Sequence, residues 1–312
     1  MSSPVINVES CQVCGSRDIK SLLRLPIGEF VGSGKADHAY DLRSLQLNGQ
    51  EPMGYATCRS CSFSFATPTT SLHLEHATYN DAKAGQRTEK SALWADPEPN
   101  ALYQTHHKWV DLNPFIVGMG FHFSRFRLPR IPNQRQLKLL DIGCGYGHTL
   151  ELSRVFGVDA TGCDVDEARL DVCRQKGLSV QVPDQVLGKF DIVLSCNVIE
   201  HVYDIQNYIA SVALHLDEAG VFVFSGLDLS IVDIEVKRKR FKLLHPIEHR
   251  NVMTRASLER LLLSNGLRLI SRGELFETMK QVRSKAPLYL PYWIRSGYVA
   301  INGVFSAIAR HI

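Results

Sequence analysis

The segment Asp141-Ile142-Gly143-Cys144-Gly145-Tyr146-Gly147 ends an apolar run that begins at Leu137 and opens a stretch of helical periodicity reaching about Gly157. Glycines at alternate positions let the main chain turn sharply and let a ligand reach it with no Cβ in the way. The pattern downstream repeats the unit. Asp159 to Cys163 reads as a second strand, and Asp166 to Lys176 as a second helix closed by Gly177. Phe190 to Cys196 and Val221 to Ser225 are near-continuous apolar runs, as parallel strands covered on both faces require. Between them Ile205, Tyr208, Ile209, Val212 and Leu216 keep helical spacing, and Thr254 caps a later helix that ends at Gly266. Strand and helix in alternation predict an α/β fold with a doubly wound parallel sheet, whose ligands bind in the crevice at the carboxyl ends of the strands. Leu267 to Ser271 and Leu275 to Val282 are expected to close it as an antiparallel hairpin.

The glycine spacing limits the ligand. A dinucleotide fingerprint needs its third glycine at position 148, which is His148. The loop instead reads G-x-G-x-G, with Asp141 two residues ahead of the first glycine, which suits a ligand without phosphate. Asp164, at the end of the second strand, is placed to accept ribose hydroxyls. A nucleoside with an amino-acid tail fits both features; a Rossmann-type domain for another ligand, with the glycines as turn residues only, is the plainer alternative. Over about residues 136 to 275 the sequence resembles the class I S-adenosylmethionine-dependent methyltransferases. The resemblance implies a Rossmann-like seven-stranded sheet and S-adenosylmethionine as cofactor. It places Asp141, Gly143, Cys144, Gly145 and Gly147 around the methionine part and Asp164 on the ribose. Phe190 to Val202 looks like that family's fourth strand and the turn after it. By that likeness Asn197 and Ile199 flank the cofactor, Glu200 and His201 face the acceptor, and Asp184 sits where an acid contacts adenine.

Two C-x-x-C pairs, Cys11 with Cys14 and Cys58 with Cys61, lie 43 residues apart in the first 61. Four thiolates make a closed tetrahedral Zn²⁺ site, which cannot activate water and so is structural. Gly15 suits the knuckle turn; Ser62 departs from the glycine usual there. A redox C-x-x-C is the competing reading, but the pair is duplicated and neither copy opens a helix after a strand. Residues 1–70 are therefore expected to form a zinc-ribbon-like module, 71–135 a helical connecting region, 136–285 the methyltransferase domain and 286–312 an apolar tail. A zinc module ahead of such a core resembles the sugar methyltransferases that act on nucleotide-linked deoxysugars, with Tyr79 as counterpart of a tyrosine that closes the acceptor pocket. The C-methylating members carry a further large C-terminal domain, so O- or N-methylation is the expectation.

A hydroxyl acceptor must lose its proton, and histidine is matched to that task near neutrality. His249, in the loop His245 to Asn251, and His201 are the candidate bases; His201 as a mere backbone hydrogen-bonder is the plainer reading, and His106 and His107 read as surface residues. Lys237-Arg238-Lys239-Arg240-Phe241-Lys242 could clamp a phosphate on the acceptor, although such runs are more often solvated loops. Lys plus Arg is 35 against 32 for Asp plus Glu, a net charge of +3. That balance, and the absence of an Asn-Pro-Pro-aromatic motif after the fourth strand, argue against a nucleic-acid partner, and none is expected. The charge-free stretches Leu112 to Ser124 and Ser296 to Ala309 are 13 and 14 residues, short of the ~20 that span a bilayer. No export signal is seen, so the chain is expected in the cytoplasm with its thiols reduced. The aromatic tail reads as packing on the domain or on a second copy in a homodimer, with membrane contact as the lesser alternative. The functional alternatives are a methyltransferase for a lipid-linked or aromatic acceptor, and a non-catalytic protein with a vestigial pocket.

Overall fold

The computed structural model describes residues 5–31, 46–70, 136–155, 157–227, 246–270, 299–301 and 304–311. In chain order the elements begin with β1 (Val5–Ile6), β2 (Ile19–Pro26), α1 (Ile27–Val31), β3 (Pro52–Cys58), β4 (Ser64–Ala66) and β5 (Thr69–Thr70). The second half brings β6 (Lys138–Ile142), α2 (His148–Val155), β7 (Asp159–Cys163), α3 (Glu167–Gln175), β8 (Val180–Gln181), β9 (Phe190–Cys196), α4 (Ile205–His215) and β10 (Leu216–Leu227). It closes with β11 (Asn251–Val252), α5 (Arg255–Leu263), β12 (Leu267–Leu269), β13 (Val299–Ile301) and β14 (Val304–His311).

The strands of the second half form one sheet in the order β12-β14-β10-β9-β6-β7-β8, with β13 paired to β14. From β8 to β10 every pairing is parallel, and β14 runs antiparallel to both β10 and β12. The order reverses between β6 and β9, which opens the ligand crevice at their carboxyl ends. Local chemistry explains the frame. In β9, Phe190 through Ser195 are all buried, the mark of a central strand covered on both faces. Asp166 caps α3 by accepting from the amides of Ala168 and Arg169, and Gly177 at φ 67° follows its end. Thr254 and Ser257 form a reciprocal capping box on α5, with Gly266 at φ 71° past the other end.

Two sequence expectations change. Residues 304–311, expected within a tail outside the domain, form β14, an interior strand with six residue pairs to β10. The helical and strand signals of the domain hide this strand, because its mixed sequence has no clean alternation. The hairpin partner expected at 275–282 lies outside the described residues, as do the connecting region 71–135, Tyr79, His106, His107 and the basic run 237–242. The N-terminal module, for its part, is not a separate body. Its antiparallel sheet, ordered β11-β4-β3-β2, takes one strand from the second half of the chain. One apolar core runs across the junction, uniting Val13, Phe63 and Phe65 with Ile205, Ile209, Leu258, Leu261 and Leu262. Burying each of these side chains contributes about 1.5–3 kcal/mol, so module and domain stabilise one another.

Ala309 on β14 is 0% exposed. Ala309→Asp places an unpaired charge in that core and is expected to cost more than about 4 kcal/mol, seen as loss of the cooperative thermal transition by circular dichroism. An unchanged melt would show that 304–311 does not fill the sheet.

Candidate functional site

The glycine loop leaves the end of β6 and folds back over β7, where the amides of Gly143 and Cys144 both donate to the carbonyl of Cys163, at 2.8 and 3.0 Å. Gly143 and Gly147 are required by position: their φ values are 73° and 79°, and a Cβ would strike Val198 Cγ2 at 2.4 Å and Leu178 Cδ1 at 2.4 Å respectively. Gly145 differs. It also has positive φ, 54°, but a Cβ there would meet nothing within 4 Å. Its face is the open side of the crevice. Below it, Cys173 Sγ donates to Gly145 O at 3.3 Å from α3. Asp141 is buried in β6 at 4% exposure.

Asp164 is 6% exposed, and its carboxylate already holds the frame: Oδ2 accepts from Gly145 N and Oδ1 from Asp166 N, both at 2.9 Å. It therefore joins the glycine loop to the cap of α3, a role the sequence does not announce. Each oxygen keeps a further lone pair for a hydroxyl. Asp184 stands exposed in a single 3-10 turn, Pro183–Gln185, after β8. Asn197 follows β9 directly, at φ 55°, a left-handed conformation that asparagine tolerates better than most residues. Its amide donates to Ser225 Oγ at 3.2 Å. Ile199, expected beside the cofactor, is instead 1% exposed and packs into the core. A branched apolar side chain next to the domain's main core gains more there than at a crevice wall.

The turn after β9 brings the two candidate histidines together. Val198 touches the glycine loop through Gly143, and three residues on, the rings of His201 and His249 lie 4.8 Å apart between centroids. Main-chain bonds fix this meeting. Arg250 N and Asn251 N both donate to Glu200 O, at 2.7 and 3.0 Å. The Asn251 side-chain amide donates to Ile199 O and Val202 O, at 3.0 and 2.6 Å. Tyr55 of the module donates its hydroxyl to His249 O at 2.8 Å. The Arg250 guanidinium, 5% exposed, donates to Thr69 Oγ1, Thr70 O and Thr70 Oγ1 and stacks 5.3 Å from Tyr203. Next to this junction is a small cavity of about 30 Å³ lined by Gln12, Phe65, Thr69, Tyr203 and Arg250 among others. Burial pushes the Glu200 carboxyl up to about 8 and that of Glu248 up to about 7. The sequence motif pointed to Glu200 and His201; that Tyr55 and Arg250 hold the loop was not legible, since neither belongs to a motif.

The four cysteines converge. Cys11 Sγ lies 3.5 Å from Cys61 Sγ, Cys14 Sγ lies 3.5 Å from Cys58 Sγ, and all four sulfurs fall within 4.8 Å of one another. None is in a disulfide, and tetrahedral Zn–S bonds of ~2.3 Å place sulfurs at close to this spacing, so the donor set fits Zn²⁺. The two knuckles are built alike. Gly15 N donates to Cys11 O at 2.7 Å and Ser62 N to Cys58 O at 2.8 Å, with φ values of 72° and 61°. Ser62 thus adopts the glycine conformation that its side chain resists. Burial raises the Cys61 thiol to about 11. At Cys58 burial also acts upward, but hydrogen bonds from Cys14 and the amides of Ser60 and Cys61 outweigh it and bring that thiol to about 7. No helix among the described residues is long and apolar enough to cross a membrane.

A family model described as "Methyltransferase domain" matches residues 121–272. The ubiquinone biosynthesis O-methyltransferase of Bartonella bacilliformis is 30% identical over 153 residues, 43% of this chain and 61% of that protein. Its counterpart in Ruegeria sp. (strain TM1040) is 31% identical over 173 residues, 50% of this chain and 68% of that protein. The chain thus spans less than two thirds of the length of the first. Among solved structures, the magnesium protoporphyrin IX methyltransferase of Synechocystis PCC 6803 with bound S-adenosylhomocysteine is 16% identical, with a TM-score of 0.46 over 76% of this chain and 99% of that one.

Cys58→Ser is expected to lower the thiolate charge-transfer absorption of the Co²⁺-loaded protein and to weaken its Co²⁺ affinity. Because the module shares its core with the domain, it should also lower the single melting transition of the whole chain rather than split off a second one. Gly143→Ala forces a left-handed alanine against Val198, a strain of about 1–2 kcal/mol before the contact is counted; calorimetry is expected to show S-adenosylmethionine affinity reduced tenfold or more.

Proposed function

The chain belongs to the class I S-adenosylmethionine-dependent methyltransferases, and we propose that it methylates an oxygen (or nitrogen) of a sugar, a nucleotide-linked sugar or a similar small polar acceptor. The observation that carries this reading is the pairing of His201 and His249 at the turn after β9, whose Val198 lies against Gly143 of the glycine loop. The cofactor supplies an electrophilic methyl group on a sulfonium. What the chain adds is placement and proton handling. Gly143, Cys144, Gly145 and Gly147 give the aminoacyl tail an unobstructed main chain, with Asp141 close by in β6. Asp164 offers its remaining lone pairs to the ribose, and Asn197 borders the methyl-transfer face. Aligning acceptor, methyl and sulfur accounts for much of the acceleration in a direct displacement.

On the acceptor side, His201 Nδ1 lies 2.9 Å from the carbonyl of Glu248, which can only accept, so Nδ1 carries the proton and Nε2 is left basic. His249 stands beside it, half-buried. The pair is suited to take the hydroxyl proton as the methyl arrives. The cysteine cluster holds Zn²⁺ in a structural role in this reading, because all four coordination positions are filled by thiolates. Its effect on the reaction is indirect: the module carries Tyr55, which fixes His249.

A second reading is favoured by the curated relatives, whose names specify O-methylation in ubiquinone biosynthesis. It keeps the same site and replaces the sugar with an aromatic, lipid-linked hydroxyl. Release of S-adenosylhomocysteine, measured against a panel of nucleotide sugars and of phenols, separates the two. His249→Ala is expected to lower turnover by roughly 10²–10⁴-fold while calorimetry finds S-adenosylmethionine affinity unchanged; wild-type turnover in this variant would remove His249 from the chemistry.

A further inference from the structure

Asn197 stands exposed directly after β9, yet its backbone sits at φ 55°, a region that is costly for a residue with a side chain. Conformations of this kind persist only where neighbours over-determine them, and they gather at ligand sites. The neighbour here is Ser225 of β10. We propose that Ser225 is a positioning residue for the methyl donor: it holds Asn197 in the left-handed conformation that shapes the methyl-transfer face. The inference rests on the methyltransferase reading above and deepens it, by naming what keeps that face in shape before the cofactor arrives.

Three observations support it. First, Ser225 Oγ makes two bonds to one residue. It accepts from Asn197 N at 3.2 Å and donates to Asn197 Oδ1 at 3.3 Å. Main chain and side chain are fixed together, where a single bond would leave the side chain free to rotate. Second, Ser225 is 0% exposed and pairs with Cys196, the last residue of β9, in the parallel ladder. On its other side it pairs with Ser306 of β14. A hydroxyl held between two strands is a fixed point against which the turn is set. Third, the next residue carries the effect across the crevice. A Cβ on Gly143 would lie 2.4 Å from Val198 Cγ2, so a change of φ at Asn197 moves that side chain against the glycine loop or away from it.

The consequence is preorganisation. Were Asn197 to relax to a negative φ, the main chain after β9 would change direction, and Asn197 and Val198 would leave the places from which they border the nucleoside. The cofactor would then bind only the fraction of molecules that holds the turn, and its apparent affinity would fall by that fraction. Ser225 touches no substrate in this account; it acts through Asn197 alone. Its role is therefore separable from that of a buried hydroxyl serving only the sheet, because a glycine at position 197 takes positive φ at no steric cost.

The test is a double-mutant cycle on the full chain supplied with zinc, with S-adenosylmethionine dissociation constants from calorimetry and folding checked by circular dichroism. Ser225→Ala removes both bonds and is expected to weaken the cofactor about tenfold. In the Asn197→Gly background the same change is expected to weaken it by less than about twofold, because glycine holds the turn unaided. Ser225→Cys, which nearly keeps the volume and weakens both bonds, gives the same comparison should the alanine variant fail to fold. Equal losses in the two backgrounds would mean that the hydroxyl serves only the sheet, and overturn the proposal; so would unchanged affinity in the wild-type background. If the cofactor binds and the coupling is absent, the methyltransferase reading stands without the clamp. If the coupling is present and no acceptor is methylated, the acceptor reading falls and the clamp stands. A chain that binds no S-adenosylmethionine overturns both.

Discussion

Two main-chain amides, those of Arg250 and Asn251, converge on the carbonyl of Glu200. The rest of the acceptor side follows from that meeting. It ties the turn after β9, whose position the parallel sheet sets, to a segment that continues as β11 in the module's sheet. The same segment is held from the other side by Tyr55 and through Arg250 by Thr69 and Thr70. Neutral hydrogen bonds of this kind contribute about 0.5–1.5 kcal/mol each; their value here is geometric, because they converge on the three residues His249 to Asn251. The imidazole of His249 is thereby positioned by two bodies of secondary structure at once.

This arrangement gives the N-terminal module a reason to exist that a cysteine count alone does not supply. A closed thiolate site contributes no chemistry to a displacement at carbon. In the proposed reading it braces a small antiparallel sheet that serves as a wall. Phe63 and Phe65 stack at 5.7 Å in that wall and join the domain's core, while Gln12 accepts from Ile205 N at 3.4 Å and Gln206 donates to Val13 O at 2.9 Å, at the start of α4. In the proposed reading the nucleoside lies at the parallel sheet and the acceptor at the junction. Separate origins for the two halves of the site let one cofactor serve acceptors of different shape.

Much of the fold was legible in the sequence because its signals are local. The apolar runs gave β9 and β7 with their observed bounds; the Thr254 cap and Gly266 bracketed α5. The glycine spacing located the loop, and the paired cysteines located the thiolate cluster. The misses share one cause, which is that distant segments decide them. Whether residues 304–311 lie in the sheet depends on a slot between β10 and β12 that no local pattern reveals. Ile199 reads the same in sequence whether it faces a cofactor or the core. Asp164 looked like a ribose ligand and proved also to be a brace for Gly145, because a carboxylate at a strand end can accept from the amides around it before any ligand arrives.

The slot itself has a consequence during synthesis. Residues 304–311 leave the ribosome after every other element described, and until they do, β10 and β12 cannot be bridged. The nascent chain therefore carries an unsatisfied apolar edge along β10, with Phe222, Val223 and Phe224 at its centre, which is the kind of edge that recruits strands from neighbouring chains. Pairings between segments so far apart in sequence are also slow to form. Translation tempo over that stretch, and the chaperones that shelter exposed strands, thus bear on whether the sheet closes.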